Sequence, residues 1–470
     1  MHPRICLIVD NPLRDLDGLV LLAWHLARRG AEIYLVPMYA QGFDVPPIAP
    51  DLVVANYVRP NNRDLLLQYR RRGILVGVLD TEGAAGKNAD QFADMVARMD
   101  CASFIDVYCV WGTEQYDAFH RAEIVPSDRL RLTGCPRFDF CTMPWRAALP
   151  KPTHSDFILL NTNFPSVNPR FSRGWEDETK AMVAAGFTEA FARTFIADAR
   201  RAYDGVLNTT EQLIRDFPDV KFVLRPHPFE DAAAYRRLRG PNLSVRQEGS
   251  ALEWIALCRL LIHQNCSTAV EAIMMGVEPL SLDWLNTPAL ELDGPTSVSQ
   301  RIRSYDALRG SIERSLSGKG WNVDESQRSA RRDLIAGTYF SNDGQSAARI
   351  ADALLETIDA CRSAASRVVR RPPRPSLRAS ASALARRVLG YRGAGLVKSM
   401  AGDRARAARA AKSFSAQQVS ATLTRIAAAA GEELHLAVSP VAAGRKWGTQ
   451  AGGGQTLRIG CAAAGAHASR

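Results

Sequence analysis

No apolar run of eighteen residues or more occurs in the 470-residue chain, so no helix that crosses a membrane is expected. The nine cysteines, Cys6, Cys101, Cys109, Cys135, Cys141, Cys258, Cys266, Cys361 and Cys461, are scattered, with no Cys-x-x-Cys pair and no zinc spacing. That scatter excludes a zinc module and a disulfide scaffold. It fits reduced, mostly buried thiols of a cytosolic enzyme. Neither Gly-x-Gly-x-x-Gly nor a Walker phosphate loop is present, and no Asp-x-Asp stands in a loop suited to a metal. The start, MHPRICLIVDNP, has only a short apolar run and no small-residue cleavage site, which reads as a first core strand rather than a signal peptide. No repeat of short period is found.

The net charge of +10 is unevenly spread. From residue 361 onward there are 19 basic and 3 acidic residues, a net of +16, and the rest of the chain is mildly acidic at −6. The tail, 361–470, is Ala-, Arg-, Ser-, Gly- and Pro-rich. RRPPRPSLRASASALARRVLG and AGDRARAARAAK suit basic surface helices, whereas GTQAGGGQTLRIGCAAAGAHASR reads as disordered. Such a tail suits either a peripheral contact with anionic lipid at the inner face of the cytoplasmic membrane or a solvated extension. No recognition module accompanies the charge, so nucleic acid is not an expected partner.

What is present is alternation. RICLIV, AEIYLVPM, DLVVANYV, GILVGVLD and FIDVYCVWG are strand-like runs, with helical stretches near 18–29, 62–72 and 88–99 between them. DNPLRDLDG reads as the loop after the first strand. A Pro-rich connection, 141–156, follows. The alternation restarts with FILLN, a long helical region near 174–215, VKFVLR, LSVR, LLIHQ and EPLSL, and a last helix near 345–360. Continuous apolar strands alternating with helices predict parallel sheets covered on both faces. The expected fold is therefore α/β, with two Rossmann-like domains facing a cleft: residues 1–140, a linker at 141–156, residues 157–360, and the basic tail. Ligands bind at the carboxyl ends of such sheets, so motifs at strand ends carry the most weight.

Three motifs stand there. In VLRPHPFEDA, Arg225 ends a strand and Pro226 and Pro228 restrict the backbone around His227; a fixed imidazole suits a proton donor or phosphate ligand, against the plain alternative of a surface turn. In LLIHQNCSTAVEA, a polar loop containing Asn265 precedes a helix opening at Ser267 and Thr268, with Glu271 one turn in. Its N-terminal N–H groups would attract phosphate, although capping alone accounts for Ser267. In GVLDTEGAAG, Asp80 and Glu82 follow a strand as candidate bases, or as a solvated acidic turn. Asn11, Arg14 and Asp17 in the first loop, and Asn161 and Asn163 after FILLN, would line the same cleft.

TEG at 81–83, HP at 227–228 and ST at 267–268 together resemble the motif set of bacterial sialyltransferases of the GT-B type. The resemblance implies that the carboxylate before glycine, Glu82, is the general base, that His227 contacts the CMP phosphate, and that Ser267 and Thr268 bind phosphate. Thr81 stands where a second acid is usual, which leaves the base open between Glu82 and Asp80. Across residues 1–360, NPLRDLDG, LDTEG, NTNFP, RPHPFED and HQNCSTAVEA resemble the GT-B-like surface-carbohydrate biosynthesis proteins of O-antigen and capsule loci. STAVEA also resembles the nucleotide-binding stretch of GT-B transferases and UDP-GlcNAc 2-epimerases, where the glutamate, here Glu271, holds the ribose.

These resemblances imply a cytoplasmic, metal-independent glycosyltransferase of surface polysaccharide (lipopolysaccharide-type) synthesis. It would need no cofactor and would use a CMP- or UDP-linked nucleotide sugar, such as a CMP-linked ulosonic acid, with a glycan or lipid-linked glycan as acceptor. The alternatives are a nucleotide-sugar 2-epimerase of the same fold and a non-catalytic polysaccharide-assembly protein.

Overall fold

The computed structural model describes residues 2–81, 88–151, 156–172, 174–184, 187–363, 409–441 and 455–461, with isolated positions between 373 and 407. Two units result, one formed by residues 1–148 with 335–470 and the other by residues 149–334.

The first unit is built on a sheet whose strands β1 (Arg4–Val9), β2 (Glu32–Pro37), β3 (Leu52–Ala55), β4 (Leu75–Leu79), β5 (Val107–Val110) and β6 (Leu130–Leu132) run parallel in the order 2-1-3-4-5-6. Every residue of β3, β4 and β5 is buried, as strands covered on both faces must be. The second unit has an all-parallel sheet of β7 (Phe157–Asn161), β8 (Phe222–Arg225), β9 (Leu243–Val245), β10 (Cys258–His263), β11 (Pro279–Leu282) and β12 (Gln300–Ile302). Its order is 12-11-10-7-8-9. In each sheet the chain leaves its first strand to one side and later returns to the other. The resulting switch points, β1/β3 and β7/β10, are where doubly wound sheets open a crevice at their carboxyl ends. The expected α/β class with two parallel sheets is therefore present.

Local chemistry moves one expected boundary. DNPLRDLDG is the start of a helix, Pro12–Arg28, not a loop. The Asn11 side chain accepts the Leu13 N–H at 3.1 Å and Pro12 occupies the first helical position, where its missing N–H costs nothing. Gly18 lets this helix lie directly on the chain at residues 136–137, since a Cβ there would come within 2.8 Å of the Arg137 nitrogen. The long helical region near 174–215 is two helices, Trp175–Ala184 and Glu189–Asp216, the second capped by Thr188.

The unit boundary also differs from expectation. Residues 141–148 of the supposed linker are packed: Trp145 donates to the Gly344 carbonyl at 2.8 Å and its ring lies 5.4 Å from that of Trp24. The last helix, Ser346–Ser363, belongs to the first unit. Buried Asp139 holds its N-terminus, accepting the backbone N–H of Ser346 at 2.9 Å and of Ala347 at 2.7 Å. A cap supplied across more than two hundred residues leaves no local sequence signal.

The tail is the largest correction. A helix, Ala416–Ala430, opens with a Ser415/Gln418 capping box and buries Val419, Leu423, Ile426 and Ala427. It lies on the helix Pro12–Arg28 through the Thr422 hydroxyl, which donates to Asp17 at 2.9 Å, and through an Arg28–Glu432 ion pair at 2.8 Å. Strands β13 (Leu436–Pro440) and β14 (Leu457–Cys461) then extend the first sheet, with β14 antiparallel to β2. TLRIG was expected to be disordered; it instead covers the β2 edge, with Leu457 and Ile459 fully buried, because an uncovered edge leaves unpaired backbone groups. The described residues from 409 onward thus serve the first unit.

Truncating a buried isoleucine to alanine costs about 2–5 kcal/mol in a core. Ile426→Ala should lower the stability of the first unit by that amount in a denaturant titration. An unchanged midpoint would mean that the tail helix is not part of the fold.

Candidate active site

Strand register assembles the second unit's site. His263 pairs with Asn161, and Asn161 pairs with Arg225, so three polar side chains end adjacent strands β10, β7 and β8 at one level. Neighbouring strands lie about 4.8 Å apart. All three residues are buried. The Asn161 amide donates to the Thr268 hydroxyl at 2.9 Å, and the Asn163 amide donates to the Asn265 carbonyl at 3.1 Å. The loops after β7 and β10 are thereby tied together.

The loop after β8 is organised by a residue that the sequence did not single out. Glu230 is wholly buried. Its carboxylate accepts the Thr162 hydroxyl at 2.8 Å, the Phe164 N–H at 3.1 Å, the His227 N–H at 3.0 Å and the Tyr235 hydroxyl. Burial pushes its pKa up, and these donors pull it back. The prolines alone therefore do not fix His227; a buried carboxylate grips its backbone. Gln247 adds a second hold, its amide donating to the His227 carbonyl at 2.8 Å. The His227 Nδ1 faces the backbone N–H of Phe229 at 3.2 Å. A backbone N–H only donates, so Nδ1 is the acceptor and the neutral ring carries its proton on Nε2. The signal for Glu230, an acid three residues after the histidine, is weak because glutamates are mostly exposed.

The loop after β10 is built on His263. Its Nδ1 accepts the Cys266 N–H at 3.2 Å, so Nε2 carries the proton and donates to the Ser299 hydroxyl at 2.8 Å, which in turn donates to the Pro295 carbonyl at 2.6 Å. The helix that follows, Thr268–Met274, has only seven residues, and Ser267 makes no side-chain capping bond. The expected Ser267 cap is thus absent, because its backbone is already helical (φ −57°, ψ −20°). Ser267 is exposed instead, and Thr268 is spent between Asn161 and the Cys266 sulfur. Glu271 is buried and is one of the carboxylates whose charge acts on Arg225.

The Asn161 Oδ1, the Asn265 Oδ1 and the Arg225 Nη1 are buried here with no partner among the described residues. Arg225 donates through Nη2 to the Gly249 carbonyl, and burial pulls its pKa down, offset first by Glu253 and Glu248. Each unpaired buried polar group costs about 1–3 kcal/mol. A bound ligand would partner them.

In the first unit Asp80 follows β4 and is buried. Its carboxylate accepts the Tyr108 hydroxyl at 2.6 Å and its carbonyl accepts the Trp111 indole N–H at 2.9 Å. Burial, with Asp80 beside it, holds the Tyr108 pKa well above its usual value, so the phenol stays a donor. Glu82 lies outside the described residues. Asn11 caps its helix, and Arg14 pairs with Asp10 at 3.2 Å and Asp15 at 2.8 Å. Asp17 does not serve a ligand crevice: it faces the tail helix through Thr422, and burial raises its pKa. Being one turn further along a helix, rather than in a loop, points it elsewhere.

No family model matches the chain, and no curated protein sequence matches it. Solved structures do. The chain is similar to S. aureus MnaA in a co-structure with UDP, at a TM-score of 0.48 and 10% identity, covering 76% of this chain and 97% of that one. It is also similar to the UDP-GlcNAc 2-epimerase of Methanocaldococcus jannaschii in complex with UDP-GlcNAc and UDP, at 0.47 and 12%, covering 75% and 99%. A third is the wall teichoic acid polymerase TagF, at 0.44 and 10%, covering 76% and 89%.

Burial pushes the His263 pKa down to about 3, below an unfolded value of about 6.5. Between those values the unfolded chain binds the extra proton, so stability is full above pH 6.5 and falls as pH drops through that window. From pH 7 to 5 the second unit should lose about 2 kcal/mol through this residue. His263→Gln should remove that part of the pH dependence in denaturant titrations; an unchanged slope would show that His263 is not buried as a neutral ring.

Proposed function

We propose that the protein is a nucleotide-sugar glycosyltransferase that holds its donor on the second unit and works without a metal step. The observation that carries this is the in-register row of buried polar ends at β8, β7 and β10, with unpaired atoms on Arg225, Asn161 and Asn265 beside His227. A guanidinium with an uncommitted N–H and an imidazole with its proton on Nε2 are donors suited to phosphate oxygens. Exposed Ser267 and the backbone at Thr268 add donors in the same loop. Asn161, Asn163 and Asn265 would position the rest of the nucleotide, and Glu271 would take the ribose hydroxyls.

In the reaction so proposed, an acceptor hydroxyl oxygen bonds to the sugar's anomeric carbon while the bond to the phosphate oxygen breaks. The hydroxyl proton passes to a carboxylate, Glu82 or Asp80. Asp80 already accepts a hydrogen bond from the Tyr108 hydroxyl, and the choice of base stays open between the two. The departing phosphate keeps the electron pair, and Arg225 with His227 would stabilise its growing charge. The donor is a CMP- or UDP-linked sugar and the acceptor a glycan or lipid-linked glycan of a bacterial surface polysaccharide, a reading supported by the motif resemblance alone.

Calorimetry with CMP and UDP, followed by nucleotide release from the matching donor, tests this. A hydrogen bond to a charged group contributes about 1.5–3 kcal/mol, roughly 10- to 150-fold in affinity. Arg225→Met should weaken nucleotide binding by that factor, and His227→Ala should slow donor hydrolysis as well. Binding of neither nucleotide, or unchanged binding in Arg225→Met, contradicts the proposal. Sugar interconversion without an acceptor and without net loss of donor would move the assignment to a 2-epimerase.

A further inference from the structure

Two aromatic rings of the second unit stand outside its core. That core gathers around Ile158, Leu160, Leu224 and Ile262 of the sheet and, among the described residues, includes neither Phe171 nor Phe229. Both phenylalanines are half-buried, as is His227. They form a row: the Phe229 ring lies 5.4 Å from the His227 imidazole at 70°, and the Phe171 ring lies 5.9 Å from that of Phe229 at 72°. The Arg170 guanidinium lies over Phe171, 5.2 Å from its centroid. Edge-to-face contacts of this kind are favourable, yet rings left at a loop rim keep apolar surface in water.

The row is not what holds its loops. The Arg170 N–H donates to the Phe229 carbonyl at 2.8 Å, the Asp231 N–H donates to the Asn168 carbonyl at 3.1 Å, and the Asn168 amide donates to the Asp231 carbonyl at 3.0 Å. Pro169 and Glu230 face each other as an antiparallel bridge, and the Glu230 side chain is anchored by Thr162, Phe164 and Tyr235. Loops tied this way need no aromatic clasp.

The position of the row indicates its use. The strand order 10-7-8-9 puts Glu271, in the helix after β10, on one side of Arg225 and His227, and puts β9 on the other. Gln247 follows β9 and reaches the row: its amide donates to the His227 carbonyl at 2.8 Å and its oxygen accepts from Arg170 at 3.4 Å. With the ribose on Glu271 and the phosphate on Arg225 and His227, the other end of the donor extends away from β10, toward the rings. That end is the transferred sugar. A pyranose has an apolar C–H face, which gains by leaving water against an aromatic ring, and a rim of hydroxyls, to which a guanidinium offers N–H donors.

We infer that Phe171 and Phe229 form a shelf on which the transferred sugar of the donor lies, and that Phe171 is its specificity-determining residue. The inference rests on the reading of Arg225 and His227 as the phosphate site.

Calorimetry on the full-length chain tests it, with CMP, UDP, UDP-glucose, UDP-galactose, UDP-N-acetylglucosamine and CMP-N-acetylneuraminate as titrants. The quantity read is the gain in affinity of each nucleotide sugar over its own nucleotide. At least one sugar should show a gain. Phe171→Leu should cut that gain about 3- to 10-fold while affinity for the free nucleotide stays within about 2-fold. Phe229→Leu should lower the same gain, and Phe171→Tyr, which keeps the ring, should preserve it. Because neither ring is in the core, Phe171→Leu should hold Tm within about 2 °C of the parent. The absence of any gain, an undiminished gain in Phe171→Leu, or an equal loss for nucleotide and nucleotide sugar, which would put the base on the shelf, overturns the inference and leaves the phosphate site standing. A Tm fall beyond about 5 °C gives the ring a structural role and also overturns it. Binding of neither CMP nor UDP sinks the donor site itself, and the shelf with it.

Discussion

The site of the second unit depends on one buried carboxylate. Glu230 collects donors from the loop after β7, from the His227 backbone and from Tyr235. Those bonds convert two strand-end loops into a single rigid edge. Without that hub the prolines around His227 would restrict local angles but would not fix the loop against Thr162 and Phe164. The arrangement also sets the imidazole's chemistry, because the loop brings the Phe229 N–H onto Nδ1 and leaves the proton on Nε2. A histidine placed this way offers a hydrogen-bond donor without having to be charged.

Both units follow the same design at different depths of commitment. Each sheet reverses its winding once, and at each reversal the last residues of neighbouring strands are polar and buried. In the second unit they are partly satisfied by one another, through Asn161 to Thr268 and Asn163 to Asn265. In the first, Asp80 is satisfied by Tyr108 while Asn56 is not. Unpaired groups of this kind are selected against in a core, and Asn161, Asn265 and Arg225 bring three of them to one sheet edge.

The parts of this that were legible in the sequence share one property: their signal is local. RICLIVD, GVLD, FILLN and KFVLR are apolar runs that end in a polar residue, and each run became a strand with that residue at or next to its carboxyl end. Asp80, Asn161 and Arg225 were therefore placed correctly without a structure. The misplacements come mostly from non-local causes. Asn11-Pro12 is the local exception: it is both a turn signal and a helix start, and the Asn11 side chain on the Leu13 N–H makes it the start of a helix. Ser267 has the composition of a cap but the backbone of a helix interior. TLRIG became a strand because the β2 edge needed covering, and the helix at 346–363 returns to the first unit because Asp139 waits there. Glu230 was missed because burial, not residue type, gives it its role.

The central claim is that the β7/β10 edge of the second unit is a nucleotide site preorganised by Glu230. Hydrogen exchange of the intact protein, followed by mass spectrometry with and without UDP or CMP, tests it most directly. The account predicts slowed exchange confined to residues 161–164, 225–231 and 263–271 in the presence of the bound nucleotide, with the Glu230-held loop already protected before it is added. Slowed exchange elsewhere with these segments unchanged, or a loop at 225–231 that exchanges freely without nucleotide, would contradict it.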